Sequence, residues 1–171
     1  MSLREKLVGY ADRLGLYGLA CLLRRRGERH LGEGFIYCFE DVLRAFSLQE
    51  QQLLSKPDKT VDEMKTIVLL VASRLGRGYD KDFEVASQRG EIACWRMFSL
   101  NENLHGVCRH KVWCMVALLT DAGISAKHYT VDDGWSRHAL VVLPHLNLVS
   151  DPTQRAGELL TIKQTKGIYG V

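Results

Sequence analysis

Gly106-Val107-Cys108-Arg109-His110-Lys111-Val112-Trp113-Cys114-Met115-Val116-Ala117-Leu118-Leu119, closed by Asp121-Ala122-Gly123, is the stretch that decides how this chain is read. Val112, Met115, Val116 and Leu119 recur at helical spacing and share a face with Cys108. Gly106 precedes the run and Gly123 supplies a glycine stop. The expectation is a helix that opens at Cys108, where unpaired backbone N–H groups and the positive end of the helix dipole meet the thiol. An unperturbed thiol has a pKa of about 8.5 and is mostly protonated at neutral pH; lowering it to about 6.5 is worth roughly 2.7 kcal/mol of preference for the thiolate. Arg109 and His110 are cations or near-cations in a first turn that disfavours them. Such rule-breaking concentrates at functional sites, although two solvent-directed side chains would cost almost nothing.

Downstream of this helix the period changes from helical to alternating. Ser125 to Val131 reads as a strand, Asp132-Asp133-Gly134 as a turn, His138 to Leu143 as a second strand, and Leu146 to Asp151 as a third, with Pro144-His145 between them. A two-residue loop at Pro144-His145 sets Leu143 against Leu146, Leu140 against Val149 and His138 against Asp151, with opposed Cβ atoms roughly 5 Å apart. A four-residue loop shifts the register by two and makes Asp151 a diagonal neighbour of His138 on the same face. An odd loop or a bulge would separate them. A carboxylate beside an imidazole orients the ring, fixes its tautomer and favours its charged form. Cys108, His138 and Asp151 are therefore the candidate catalytic residues.

Upstream, Val61 to Leu75 and Tyr37 to Phe46 read as amphipathic helices separated by the loop Ser55-Lys56-Pro57-Asp58-Lys59, with Thr60 and Glu63 as a capping box for the second. Leu3, Leu7, Tyr10, Leu14 and Tyr17 have a helical spacing broken by Gly15 and Gly18. Arg24-Arg25-Arg26 with Arg29 is a basic run that suits a solvated helix end or, alternatively, contact with an anionic surface.

Composition bounds the rest. The 171 residues, 46% hydrophobic and 25% charged, suit one globular domain with a proper core. A net charge of +3 without a basic tail argues against nucleic acid as a partner. Five cysteines, Cys21, Cys38, Cys94, Cys108 and Cys114, do not make a complete disulfide framework and point to a reducing, cytoplasmic setting. Export in unfolded form by a dedicated secretion machine is compatible with the same composition. No integral membrane segment is expected, the most apolar run, Gly15 to Leu23, being too short to span a bilayer. A zinc shell from Cys108, His110, Cys114 and a strand histidine is an alternative, but the spacing is unfamiliar and Cys108 and His110 do not share a helix face.

Taken in order, Gly106-Val107-Cys108-Arg109-His110, Leu118-Leu119, Gly123-Ile124, Arg137-His138-Ala139 and Asp151-Pro152-Thr153 resemble the transglutaminase-like superfamily of thiol enzymes, related in mechanism to papain-like peptidases. The run Ile67 to Tyr79 is similar to the helix that precedes that family's core. The resemblance covers residues 65–155, within a single domain 1–171 that begins with a helical extension, 1–60. It implies an α+β, papain-like fold with the nucleophile helix packed on an antiparallel sheet. It further implies Cys108 as nucleophile, His138 as base and then acid, and Asp151 as orienting group, acting on an amide of a protein or peptide without metal or organic cofactor. Peptidase, glutamine/asparagine deamidase and transglutaminase outcomes share these three positions, and a non-catalytic binding module could keep the same fold. The family has an aromatic residue two positions after its histidine in many members, where this chain has Leu140. Oxyanion donors are expected from the Cys108 backbone N–H, with Trp95, Asn103 or Asn101 as side-chain candidates.

Overall fold

The computed structural model describes residues 28–79, 92–102, 104–132 and 137–170. The expectations for residues 1–27 (the first helix, Cys21 and the run Arg24-Arg25-Arg26), for Asn103, and for Asp133 and Gly134 fall outside the described residues.

The chain is α+β. Its order is β1 (Arg29–Gly32), β2 (Phe35–Tyr37), α1 (Phe39–Leu43), α2 (Leu48–Ser55), α3 (Val61–Leu75), β3 (Ile92–Ala93), α4 (Trp95–Phe98), α5 (Cys108–Asp121), β4 (Lys127–Asp132), β5 (Arg137–Leu143), a 3-10 turn (Pro144–Leu146), β6 (Leu148–Asp151), β7 (Arg155–Thr161) and α6 (Ile162–Tyr169). Strands β4-β5-β6-β7 form one antiparallel sheet in sequence order. A second sheet, β1-β2-β3, pairs β1 and β2 antiparallel and β2 and β3 parallel.

That second sheet corrects the expectation of a helical region up to residue 60. Gly32, Glu33 and Gly34 all adopt positive φ (126°, 45° and 80°) and turn the chain into a hairpin. Tyr37, expected to begin a helix running to Phe46, instead pairs with Arg29 in β2 and is wholly buried. The helix starts two residues later and is short.

Other elements form where their local chemistry dictates. Thr60 and Glu63 make the expected reciprocal capping box for α3, and Ser47 and Glu50 make another for α2. Arg74 on α3 clamps the Glu50 carboxylate with two bonds of 2.8 and 2.9 Å and bonds the Ala45 carbonyl, fastening α2 to α3.

Helix α5 is central. His110, Lys111, Val112, Cys114, Met115, Ala117, Leu118 and Leu119 are all buried, a face broader than the stripe expected, whose Val116 is only half-buried, because α3 and the four-stranded sheet enclose the helix. The main core lies between these layers and includes Ile67, Val68, Val71, Met115, Leu118, Ala139, Val141 and Leu143. Within it Cys114 donates to Cys94 Sγ at 3.2 Å. The opposite face of the sheet holds a small cluster of Val131, Leu140, Val149 and Leu160, against which Val142 and Tyr169 of α6 pack. No helix among the described residues is long and apolar enough to cross a membrane.

Candidate active site

The β5–β6 connection follows the four-residue alternative, and the two-residue register is not observed. Leu143 pairs with Leu148, Val142 with Val149 and Val141 with Ser150. Pro144–Leu146 make a 3-10 turn, and Asn147 closes the loop in the left-handed region at φ 54°. One further step of this register sets Asp151 opposite Leu140, diagonal to His138 and on the same face. The side chains close the diagonal: His138 Nε2 lies 2.9 Å from Asp151 Oδ2.

Asp151 is fully buried. Besides His138, its carboxylate accepts the Thr153 and Gln154 backbone N–H groups at 2.9 and 3.0 Å and the Tyr169 hydroxyl. Burial opposes its ionisation, but His138, Tyr169 and the two N–H groups outweigh that, and the carboxyl is held below its ordinary range. The Tyr169 ring also stacks on His138, centroids 5.6 Å apart and planes 25° from parallel. With Nε2 committed to Asp151, Nδ1 is the ring nitrogen left for the thiol.

Cys108 is half-buried at the first position of α5. Burial raises its thiol, but His138 and the backbone N–H groups of Ala139 and Arg109 outweigh it, so the group lies below the ordinary thiol value. Reciprocally, the bond to Asp151 and then Cys108 push the His138 imidazolium up to about 9, against the opposing effect of burial. Each group thus favours the charged form of the other, shifting the pair toward thiolate and imidazolium. The His138 side chain is 12% exposed, so the pair sits at the edge of solvent rather than sealed within the core.

The helix that carries Cys108 is locked at its N-terminus by residues whose partners lie far away in sequence. Gly106 takes φ 61°, and a Cβ there would meet the His110 ring and Met97 at 3.2 Å. This turn directs the Val107 N–H onto His110 Nδ1 at 3.3 Å. Nδ1 is thereby an acceptor, so Nε2 carries the proton it gives to Glu33 Oε2 at 2.6 Å. Arg109 grips the same carboxylate through both oxygens, at 2.8 and 2.9 Å. Glu33 is held down to about 2, chiefly by Arg109. Arg109 and His110 are both engaged by Glu33, whose negative charge offsets their unfavourable place in the first turn.

The sequence expectations divide accordingly. Cys108, His138 and Asp151 are brought together. Trp95 opens α4 and packs its half-buried ring against the main core. The Cys108 N–H belongs to a first turn whose N–H groups have no intrahelical acceptor. Cys114 and His110, components of the zinc alternative, are engaged with Cys94 and Glu33 instead, and among the described residues no group of three or more His, Cys, Asp or Glu is arranged to hold a metal ion. Tyr169, Glu33 and Lys111 were not anticipated. Tyr169 and Glu33 carry no local signal, since each meets the site only through tertiary packing. Lys111 did carry one, being a lysine on the apolar face of α5, three residues after Cys108.

No family model, no curated protein and no solved structure matches this chain.

Proposed function

We propose that the protein is a cysteine-dependent amide hydrolase of papain-like, transglutaminase-like type, acting on a protein or peptide through a thioester acyl-enzyme. The observation that carries this reading is the connected series from a helix-opening thiol to an imidazole to a buried carboxylate, with charge displaced toward thiolate and imidazolium.

In this reading Cys108 Sγ attacks the amide carbon. A C–S bond forms and the carbonyl π electrons move to oxygen, where the Cys108 backbone N–H donates. The tetrahedral adduct collapses, the C–N bond breaks, and the leaving nitrogen takes the proton from His138 Nδ1. Neutral His138 then accepts a proton from water as its oxygen attacks the thioester carbon. Collapse expels the Cys108 thiolate, releases a carboxylic acid and restores the imidazolium. Asp151 keeps the ring oriented through both half-reactions and is not itself protonated. Water at a backbone amide gives a peptidase, and water at a glutamine or asparagine side chain gives a deamidase. An amine in place of water gives transglutaminase-type transfer.

Intact-mass analysis of candidate substrates with wild type and Cys108→Ala separates the outcomes. Fragments, a gain of about 1 Da with ammonia release, or crosslinked species each select one reaction, and all should vanish in Cys108→Ala. The enzyme reading also requires Cys108 to be alkylated as a thiolate well below pH 8. Ordinary thiol titration at Cys108 would instead favour a non-catalytic binding module of the same fold.

A further inference from the structure

Lys111 is fully buried, a state that lysine rarely adopts without compensation. It follows Cys108 by three residues on α5, which places the two Cβ atoms about 5–6 Å apart on one side of the helix. Helical side chains lean over the turn that precedes them, so the Lys111 stem lies toward the turn that Cys108 opens. Its ammonium donates to the Gly78 carbonyl. Among the described residues, the charged groups acting on it are Asp151 from β6 and Cys108 from its own helix, which favour the cation, and Arg77, just beyond α3, which disfavours it. The Arg77 guanidinium is engaged with the carbonyls of Arg74, Met97 and Ser99.

The charges of the site then have a simple balance. Taken alone, as thiolate, carboxylate and imidazolium, Cys108, Asp151 and His138 sum to −1 in largely buried surroundings. An uncompensated buried charge is strongly disfavoured. We propose that Lys111 is the charge-balancing, positioning residue of this site, holding Cys108 as a thiolate from the buried side. It brings the sum to zero without touching the reacting atoms. Burial pushes Lys111 down to about 8, so it remains cationic at neutral pH.

The inference rests on the proposed role of Cys108, and the test separates the two. In the full chain, the rate of Cys108 alkylation by iodoacetamide is followed against pH, with the Cys108 peptide quantified by mass spectrometry. Lys111→Met removes the charge at similar length and should move the midpoint up by about one pH unit or more. Lys111→Arg keeps the charge and should leave it within a few tenths. A low midpoint in both wild type and Lys111→Met overturns the role of Lys111 and leaves the enzyme reading standing. An ordinary midpoint in wild type overturns the enzyme reading and this inference with it. A second measurement keeps Lys111 in place, so it decides even where the Met variant does not fold. The ¹³Cε resonance of Lys111 is titrated in wild type and in Cys108→Ala. Coupling is reciprocal, so losing the thiolate should lower the Lys111 midpoint by the amount that losing Lys111 raises the thiol. An unmoved Lys111 overturns the proposal.

Discussion

Asp151 is a buried carboxylate that accepts from His138, Tyr169 and two backbone N–H groups. Its effect on stability can be read through His138. That imidazolium persists to about 9 when folded, against an ordinary 6.5. A value raised by folding contributes stability that is complete below pH 6.5 and is lost as pH climbs through about 9. The Cys108 thiol, lowered by folding, contributes the opposite slope, present at high pH and lost as pH falls through its folded value. In wild type the two slopes oppose each other. Cys108→Ala should expose the histidine slope, with unfolding free energy falling by about 1–3 kcal/mol between pH 6.5 and 9, measured by urea titration at the two pH values. Adding Asp151→Asn should flatten that slope. An unchanged slope in the double variant would show that the carboxylate is not its source. At this scale the sequence was informative where chemistry is local. A thiol at a helix start and two strand residues of equal parity could be picked out in advance. The hydroxyl of Tyr169 could not, because nothing near residue 169 reports which carboxylate it will meet.

Secondary-structure elements were legible in proportion to how far their own residues determine them. The helices at Val61–Leu75 and Cys108–Asp121 carry their caps and apolar faces with them, and both were readable. The hairpin of β1 and β2 was not, because His30, Leu31, Ile36 and Tyr37 alternate over too short a span to announce a strand, and β3 joins it from more than fifty positions away. Two glycines test how elements meet. A Cβ on Gly76, at the end of α3, would lie 2.4 Å from the Ala156 Cβ of β7, a contact neither backbone can easily yield. Gly76→Ala should cost about 1–3 kcal/mol. Gly167, within α6, would meet nothing within 4 Å. Gly167→Ala should therefore stabilise by about 0.5–1 kcal/mol, while firming the helix that presents Tyr169. Thermal or urea unfolding of the two variants should shift in opposite directions, and a shift of the same sign would refute the packing of α3 on β7.

Across the whole molecule, the residues that shape the site come from β5, β6, both ends of the described chain and the start of α5, so no single hairpin or helix can hold it alone. Glu33, Lys111, His138, Asp151 and Tyr169 are joined only through the complete arrangement of both sheets and the helices between them. The low-pH reactivity proposed for Cys108 should therefore disappear in the same transition as the far-UV circular dichroism. In a urea series at fixed pH, the two midpoints should coincide. Loss of reactivity at distinctly lower urea would mean that the site opens as a separate unit. The path of the chain between its two sheets was the least readable level, since it depends on contacts between segments whose individual patterns are silent about each other.

The loop at Pro144–Asn147 bears on how such a chain can change over generations. Because neighbouring strand positions face opposite ways, a single inserted or deleted codon there would send every later residue of β6 through the sheet, carrying Asp151 away from His138 and Val149 out of its apolar cluster. A change of two codons would restore the facing at the cost of a slide along the strand. Variation in the length of this exposed turn is thus constrained to even steps, even though the turn itself touches neither the thiol nor the imidazole.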